Sequence, residues 1–252
     1  MDQIRKPFQG VGNIIRFNWH FYILSVAFLV GLFCLDNYLS QTWQRFFFIL
    51  FLLILATTLM SLLVSWYVYD LSNLYKLSWL FPNNDNIKIV NIHAGFDETS
   101  VLLSAKFPNA ELIVFDFYDQ EKHTEVSIKL ARKVYPPFQN TKKIVTSVIP
   151  MPDNCADKIF VTLAAHEIRD DNERATFFKE LRRILMPEGQ IFVTEHLRDG
   201  ANFLAYNVGF FHFLPIFSWH QTFNTAGLRI KKQQKQTPFI TIFTLEKHAA
   251  TA

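Results

Sequence analysis

Between Phe46 and Tyr69 the chain reads FFFILFLLILATTLMSLLVSWYVY, 24 consecutive positions without a charge. At about 1.5 Å per residue a helix of that length spans roughly 36 Å, enough to cross a hydrocarbon core of about 30 Å with some tilt. An earlier run, Phe17 to Leu35, opens with Asn18 and His20 but is apolar thereafter, and it is predicted as a second span of roughly 28 Å. Trp19 and Tyr22 sit at the start of the first run, Tyr38 and Trp43 between the runs, and Trp66, Tyr67 and Tyr69 at the close of the second. Such positions fit the aromatic belts of membrane interfaces. A cleaved signal peptide is the competing reading of the first run, but Asp36, Asn37 and Tyr38 follow it where small residues are required. Arg5, Lys6 and Arg16 precede the first run against Arg45 alone between the two, a bias that places both chain ends on the cytoplasmic side.

The pattern then changes. Residues 70–86 (DLSNLYKLSWLFPNNDN) read as a linker stopped by Pro82 and its Asn-rich end, which divides the chain into a membrane anchor over 1–82 and a soluble domain over 83–252. In the domain, short apolar runs alternate with amphipathic segments: strands at IKIVNIHA, ELIVFDF, KIVTSV, DKIFVTLAA and QIFVTEH, with helices through VLLSAKF, EVSIKLARKVY and ERATFFKELRRIL. Strands rich in Val, Ile and Phe separated by helices predict an α/β fold, a doubly wound, mostly parallel sheet covered on both faces. The helix from about Asn172 to Leu185 carries Asp170 and Glu173 as a capping box, an apolar stripe of Phe177, Leu181, Ile184 and Leu185, and Pro187 and Gly189 as a stop. The tail LRIKKQQKQTPFITIFTLEK reads as a final antiparallel hairpin.

Composition narrows the function. A net charge of +3 spread along the chain argues against nucleic acid as a partner. Two cysteines, Cys34 and Cys155, with no C-x-x-C spacing exclude a disulfide framework. No Cys/His metal spacing, Ser-centred elbow or phosphate loop is present, so no metal site is expected.

The stretch Pro150 to Phe192 resembles the class I S-adenosylmethionine-dependent methyltransferases, type 11-like, in which a P-D-x-S-F-D-x-V pattern leads into the fourth strand and a helix ends R-V-L-K-P-G-G before the fifth. Asp153, Asp157, Arg183, Leu185, Pro187 and Gly189 stand on matching positions, and the resemblance extends over residues 87 to 247. It implies a Rossmann-like fold and S-adenosylmethionine as cofactor. In VNIHAGFDETS, Asn91 takes the place of the family's acid at the end of the first strand, and His93, Gly95 and Asp97 take the places of the G-x-G-x-G glycines. Asp116 ends the second strand where the family has a ribose-binding acid, a bidentate task suited to a carboxylate.

Ligands of open parallel sheets bind beyond the C-terminal strand ends. There the fourth strand runs into LAAHEIRDD and the fifth ends VTEHLRD, so His166, Glu167 and Glu195 are the candidate catalytic residues, with Arg169 and His196 nearby. His166 has the unperturbed pKa of a general base, with Glu167 or Glu195 to orient or replace it. The aromatic stretch from Phe203 to Trp219, a region that the resemblance implies helps form the acceptor pocket or its lid, is either an ordinary core helix or a surface that meets lipid and a lipophilic acceptor, the second being favoured beside a membrane anchor. The expectation is methyl transfer to a lipophilic or membrane-associated small molecule, with the bilayer as partner. The alternative, drawn from the eroded glycine loop, is a catalytically degenerate membrane scaffold or regulatory binding module.

Overall fold

The computed structural model describes residues 5–36, 38–81, 86–123 and 125–248. Pro82 and the Asn-rich end of the linker lie outside them. Helix α1 covers Gln9–Phe17, α2 Trp19–Asp36 and α3 Gln41–Trp66, the last continued by a π-helical turn, Tyr67–Leu71. The combined helix Gln41–Leu71, 31 residues, is long and apolar enough to cross a membrane, and almost none of it is buried. The first predicted span differs from expectation. Asn18 breaks the run: its amide nitrogens, backbone and side chain, both donate to the Ile14 carbonyl, at 3.1 and 3.0 Å, and the axis bends by 70° between α1 and α2. Among the described residues there are two such spans only if that bent pair counts as one.

Helix α1 is tied back onto the protein. The Asp70 carboxylate accepts from the Gly10 and Val11 amides at 2.7 and 2.8 Å, placing a negative charge at the helix N-terminus, where the exposed N–H groups and the dipole favour it. Arg5 pairs with Glu98 at 2.7 Å, and the Tyr135 hydroxyl donates to Asn13 at 2.9 Å. Gly10 is needed for this contact, since a Cβ there would stand 2.4 Å from the Tyr69 Cβ. Gly10→Ala is expected to push α1 off the end of α3, and faster amide exchange across Gln9–Phe17 than in the wild type would register it.

The sheet has seven strands in the order β3-β2-β1-β4-β5-β7-β6: β1 Lys88–His93, β2 Glu111–Asp116, β3 Lys142–Lys143, β4 Ala156–Thr162, β5 Leu185–His196, β6 Leu228–Thr237 and β7 Ile240–Lys247. Strands β1 to β5 pair in parallel, and β7 enters antiparallel between β5 and β6. Helices α4 (Ser100–Lys106), α5 (Val126–Val134), α6 (Asp171–Ile184), α7 (Gly200–Tyr206) and α8 (Ile216–Thr225) connect them. The N-cap of α6 is as predicted, with Asp170 accepting from the Glu173 amide at 2.7 Å. Two predictions shift. The KIVTSV strand shrinks to Lys142–Lys143, because the chain turns back at once through a Val145–Val148 bridge. Pro187 and Gly189 lie inside β5, which starts at Leu185 directly from the last turn of α6.

The segment read as a linker is largely packed. Leu77 and Leu80 are buried with Leu103, Phe107, Phe160 and Phe192 against one face of the sheet, and Leu74 and Tyr75 with Val68, Ala205 and Ile240. Their burial withdraws apolar area from water and ties the end of α3 to the domain.

Candidate functional site

The C-terminal ends of β1, β4 and β5 open on a cavity of about 240 Å³. Its domain wall includes His93, Ala94, Thr162, His166, Glu167 and His196, and its other wall is the N-terminal region: Asn13, Phe17 and Tyr69. The Tyr69 hydroxyl lies 2.8 Å from His196 Nε2, so the end of the long apolar helix forms part of the site.

The cofactor candidates occupy the β1 and β2 ends. Asn91 is buried and donates to Thr99 and Ser100 hydroxyls at 3.0 and 2.8 Å. Asp97, in the third glycine's place, accepts from the Thr99 and Ser100 amides at 3.0 and 2.9 Å. The loop entering α4 is thus held by side-chain hydrogen bonds where a glycine loop would rely on backbone freedom. Gly95 keeps that freedom where it is used, at φ 92°, and a Cβ there would meet Arg132 Nη1 at 2.8 Å and the Tyr118 ring at 2.9 Å.

His93 is buried between two acids. Its Nδ1 accepts from the Gly95 amide at 3.1 Å and lies 3.7 Å from Asp116, and its Nε2 is 3.9 Å from Asp97 Oδ2. Burial lowers its pKa and outweighs the two carboxylates, so the ring stays neutral. Among the described residues neither His93 Nε2 nor Asp97 Oδ2 has a hydrogen-bond partner. Asp116 is buried at the end of β2, accepting from the Tyr118 amide at 2.9 Å and from Arg132 Nη1 at 2.6 Å. Arg132, more exposed, lies over the Tyr118 ring at 4.3 Å.

These residues fit S-adenosylmethionine in kind. The Asp116 carboxylate has the two acceptor oxygens that a ribose hydroxyl pair would need, now engaged by the Tyr118 amide and Arg132, Gly95 keeps the open backbone, and the two unpartnered buried atoms at His93 and Asp97 are places where a polar ligand would gain most.

The catalytic candidates form a second group. His166, in the short 3-10 turn Ala165–Glu167 after β4, places Nδ1 2.6 Å from Glu195 Oε2 and Nε2 3.3 Å from Glu167 Oε1. Glu195, on β5, is fully buried. Burial lowers the His166 pKa, but Glu195 and Glu167 outweigh it and push it up to about 10. Glu167 is raised by burial but held well below the usual carboxylate range by His166 and His212. In the ligand-free protein His166 therefore carries a proton, unlike the free base that its type alone suggests. His196 is the opposite case: buried and stacked on Phe213, it is lowered to about 4, chiefly by burial.

Arg169 lies outside this group, donating to the His212 carbonyl at 2.5 Å. Sequence reading missed Tyr69, Glu125, Arg132 and His212. Only Tyr69 carried a signal, as an aromatic residue closing the apolar run. The others reach the site from distant segments with no spacing to mark them.

Residues 105–193, from α4 into β5, match the family described as Methyltransferase domain. With the strand order above, that match identifies the fold. The fold is that of the S-adenosylmethionine-dependent methyltransferases. A methyltransferase of this kind from Methanosarcina mazei superposes with a TM-score of 0.50 at 13% identity, over 66% of this chain and 94% of that one. An O-methyltransferase family 2 protein from Planctomyces limnophilus, in complex with apigenin, gives 0.52 at 13% identity, over 76% of this chain and 61% of that one. At such identities the likeness is one of fold. No curated protein matches the chain. The methyltransferase-domain match supports S-adenosylmethionine as the cofactor.

Proposed function

We propose that the chain is an S-adenosylmethionine-dependent methyltransferase acting on a lipophilic acceptor drawn from a membrane that α2 and α3 enter. The observation that carries this reading is the shared wall of the cavity: Tyr69, at the end of the long apolar helix, touches His196 at the end of β5. Phe21, Leu24, Phe28 and Phe33 on α2, and Phe48, Ile49 and Leu53 on α3, are exposed, a surface that water disfavours and lipid accepts. Helix α7 packs against α3, and the exposed Phe203, Leu204, Val208, Phe211 and Phe217 extend the apolar surface beside the site. On this reading the two helices form a hairpin, and both chain ends and the domain lie on the cytoplasmic side.

When bound, the cofactor supplies a methyl carbon that leaves sulfur as the acceptor's lone pair bonds to it. Asp116 would hold the ribose, and Asn91, through Thr99 and Ser100, the loop carrying Gly95. His166, Glu167 and the buried Glu195 would orient the acceptor atom, with Glu167 or Glu195 accepting its proton where His166 is already protonated. Much of the acceleration comes from holding the reactants in contact. The test is transfer of tritium from methyl-labelled S-adenosylmethionine into the solvent-extractable fraction of membranes incubated with the full chain. Label confined to the aqueous phase contradicts a lipophilic acceptor.

A second reading, a degenerate binding scaffold, is favoured by one observation: Asp116 is already paired with Arg132. Asp116→Ala separates the two readings. It is expected to weaken S-adenosylhomocysteine binding about ten- to a hundredfold, since hydrogen bonds to a charged group contribute about 1.5 to 3 kcal/mol. An unchanged dissociation constant places the site elsewhere.

A further inference from the structure

His166 and His212 approach each other edge to face, ring centroids 4.9 Å apart. Each has Nδ1 against a carboxylate, Glu195 at 2.6 Å for His166 and Glu125 at 2.8 Å for His212. Each turns Nε2 toward the same oxygen, Glu167 Oε1, at 3.3 and 3.4 Å. With the Nδ1 protons pointing to their carboxylates, loss of the Nε2 protons leaves three Lewis bases converging on one point, so a metal ion would take the place of the protons that the ligand-free cluster carries. One ligand atom from each of the three residues lies within 4.8 Å of the others. Ligands held about 2.1 Å from a tetrahedral ion sit roughly 3.4 Å apart, which is the spacing of Glu167 Oε1 from each ring nitrogen. A histidine whose second nitrogen donates to a carboxylate is also the usual supporting arrangement of a metal ligand.

We propose that His166 Nε2, His212 Nε2 and Glu167 Oε1 bind one divalent first-row transition-metal ion, of the kind that takes mixed imidazole and carboxylate ligands, with Zn²⁺ the reference case. All three residues line the cavity, so the ion's remaining position faces the acceptor space. Arg169 stands against both ring nitrogens of His212, 3.1 Å from Nε2. Its side chain is 44% exposed, so it can swing into solvent as the ion enters, and Arg169→Ala binds the ion at least as tightly as the wild type. What the ion does in turnover rests on the methyltransferase reading: an acceptor hydroxyl bound to it loses its proton at neutral pH. Metal binding itself does not depend on that reading.

The test uses the full chain, purified in detergent with a tag free of histidine, stripped with a chelator and titrated with Co²⁺ and with Zn²⁺. About one ion per chain is expected, with Co²⁺ giving the intense visible bands of a low-coordinate site. His212→Ala and Glu167→Gln are expected to weaken binding by more than the roughly ten- to hundredfold that losing a supporting carboxylate costs, and His220→Ala to leave it unchanged. Both ligand variants avoid the more deeply set His166, and circular dichroism verifies their fold. No wild-type binding, or equal binding in both ligand variants, overturns the proposal. S-adenosylhomocysteine affinity measured on the same samples separates the two claims: metal loss alone refutes only this site, and cofactor loss alone refutes only the methyltransferase reading.

Discussion

His166→Ala is expected to lower turnover by about a hundredfold or more while S-adenosylhomocysteine affinity changes by less than about twofold. The asymmetry follows from where the side chain sits. The His166 turn follows β4, one strand over from β1 and two from β2, the strands that end in His93 and Asp116. Its ring is fixed between Glu195 and Glu167 and lines the cavity. Removing it takes away a cavity-lining group at the proposed acceptor end without touching the cofactor loop. Parallel loss of cofactor affinity would show a structural histidine, and full activity would pass the role to Glu167 or Glu195. Steady-state kinetics and a binding titration on one preparation decide between these outcomes.

Arg174→Ala should be the most destabilising single change in the domain's helical layer. Arg174 is fully buried. It donates to the Ile168 carbonyl at 2.8 Å, to Thr222 at 3.1 Å, to Ser218 at 2.7 Å and to Asp171. It thereby joins α6 and α8 to the turn that carries His166. Alanine leaves a buried carbonyl without a donor, costing about 1 to 3 kcal/mol, and a cavity beside Trp219 costing about 2 kcal/mol or more. A total of roughly 3 to 5 kcal/mol corresponds to a melting shift of about 6 to 20 °C at this chain length. Asp171 is exposed, so no stranded buried charge adds to the cost. A shift under about 2 °C in a thermal melt of the full chain would mean that the α6–α8 junction closes over the gap.

Periodicity revealed the sheet because β1, β2, β4 and β5 are dense in β-branched and aromatic residues, and the last two strands are set off by their polar turn. The methyltransferase likeness was legible from Asp153 to Gly189, inside the stretch that matches the family. Local patterns could not show that α1 folds back over the strand ends. That depends on Asp70 capping the Gly10 and Val11 amides and on Arg5 reaching Glu98, contacts between residues far apart in the chain. The break at Asn18 was legible only as a polar residue in an apolar run, because a helix stop depends on competing backbone hydrogen bonds. The same limit explains the site. His166, Glu167 and Glu195 were accessible from their strand ends. His212 and Glu125 were not, because His212's place beside Glu167 and Glu125's beside His212 come from the return of the chain after α7 and the entry to α5.

The central claim, that this fold binds the methyl donor, is tested most directly by calorimetric titration of the full chain in detergent with S-adenosylhomocysteine. The full chain is needed because α1, Tyr69 and the packed residues after α3 complete the cavity and the core. The account predicts one site with micromolar affinity, weakened about ten- to a hundredfold in Asp116→Ala. No heat of binding at millimolar ligand, with the protein folded by circular dichroism, would contradict it and leave the Arg132–Asp116 pair as the closed end of a scaffold.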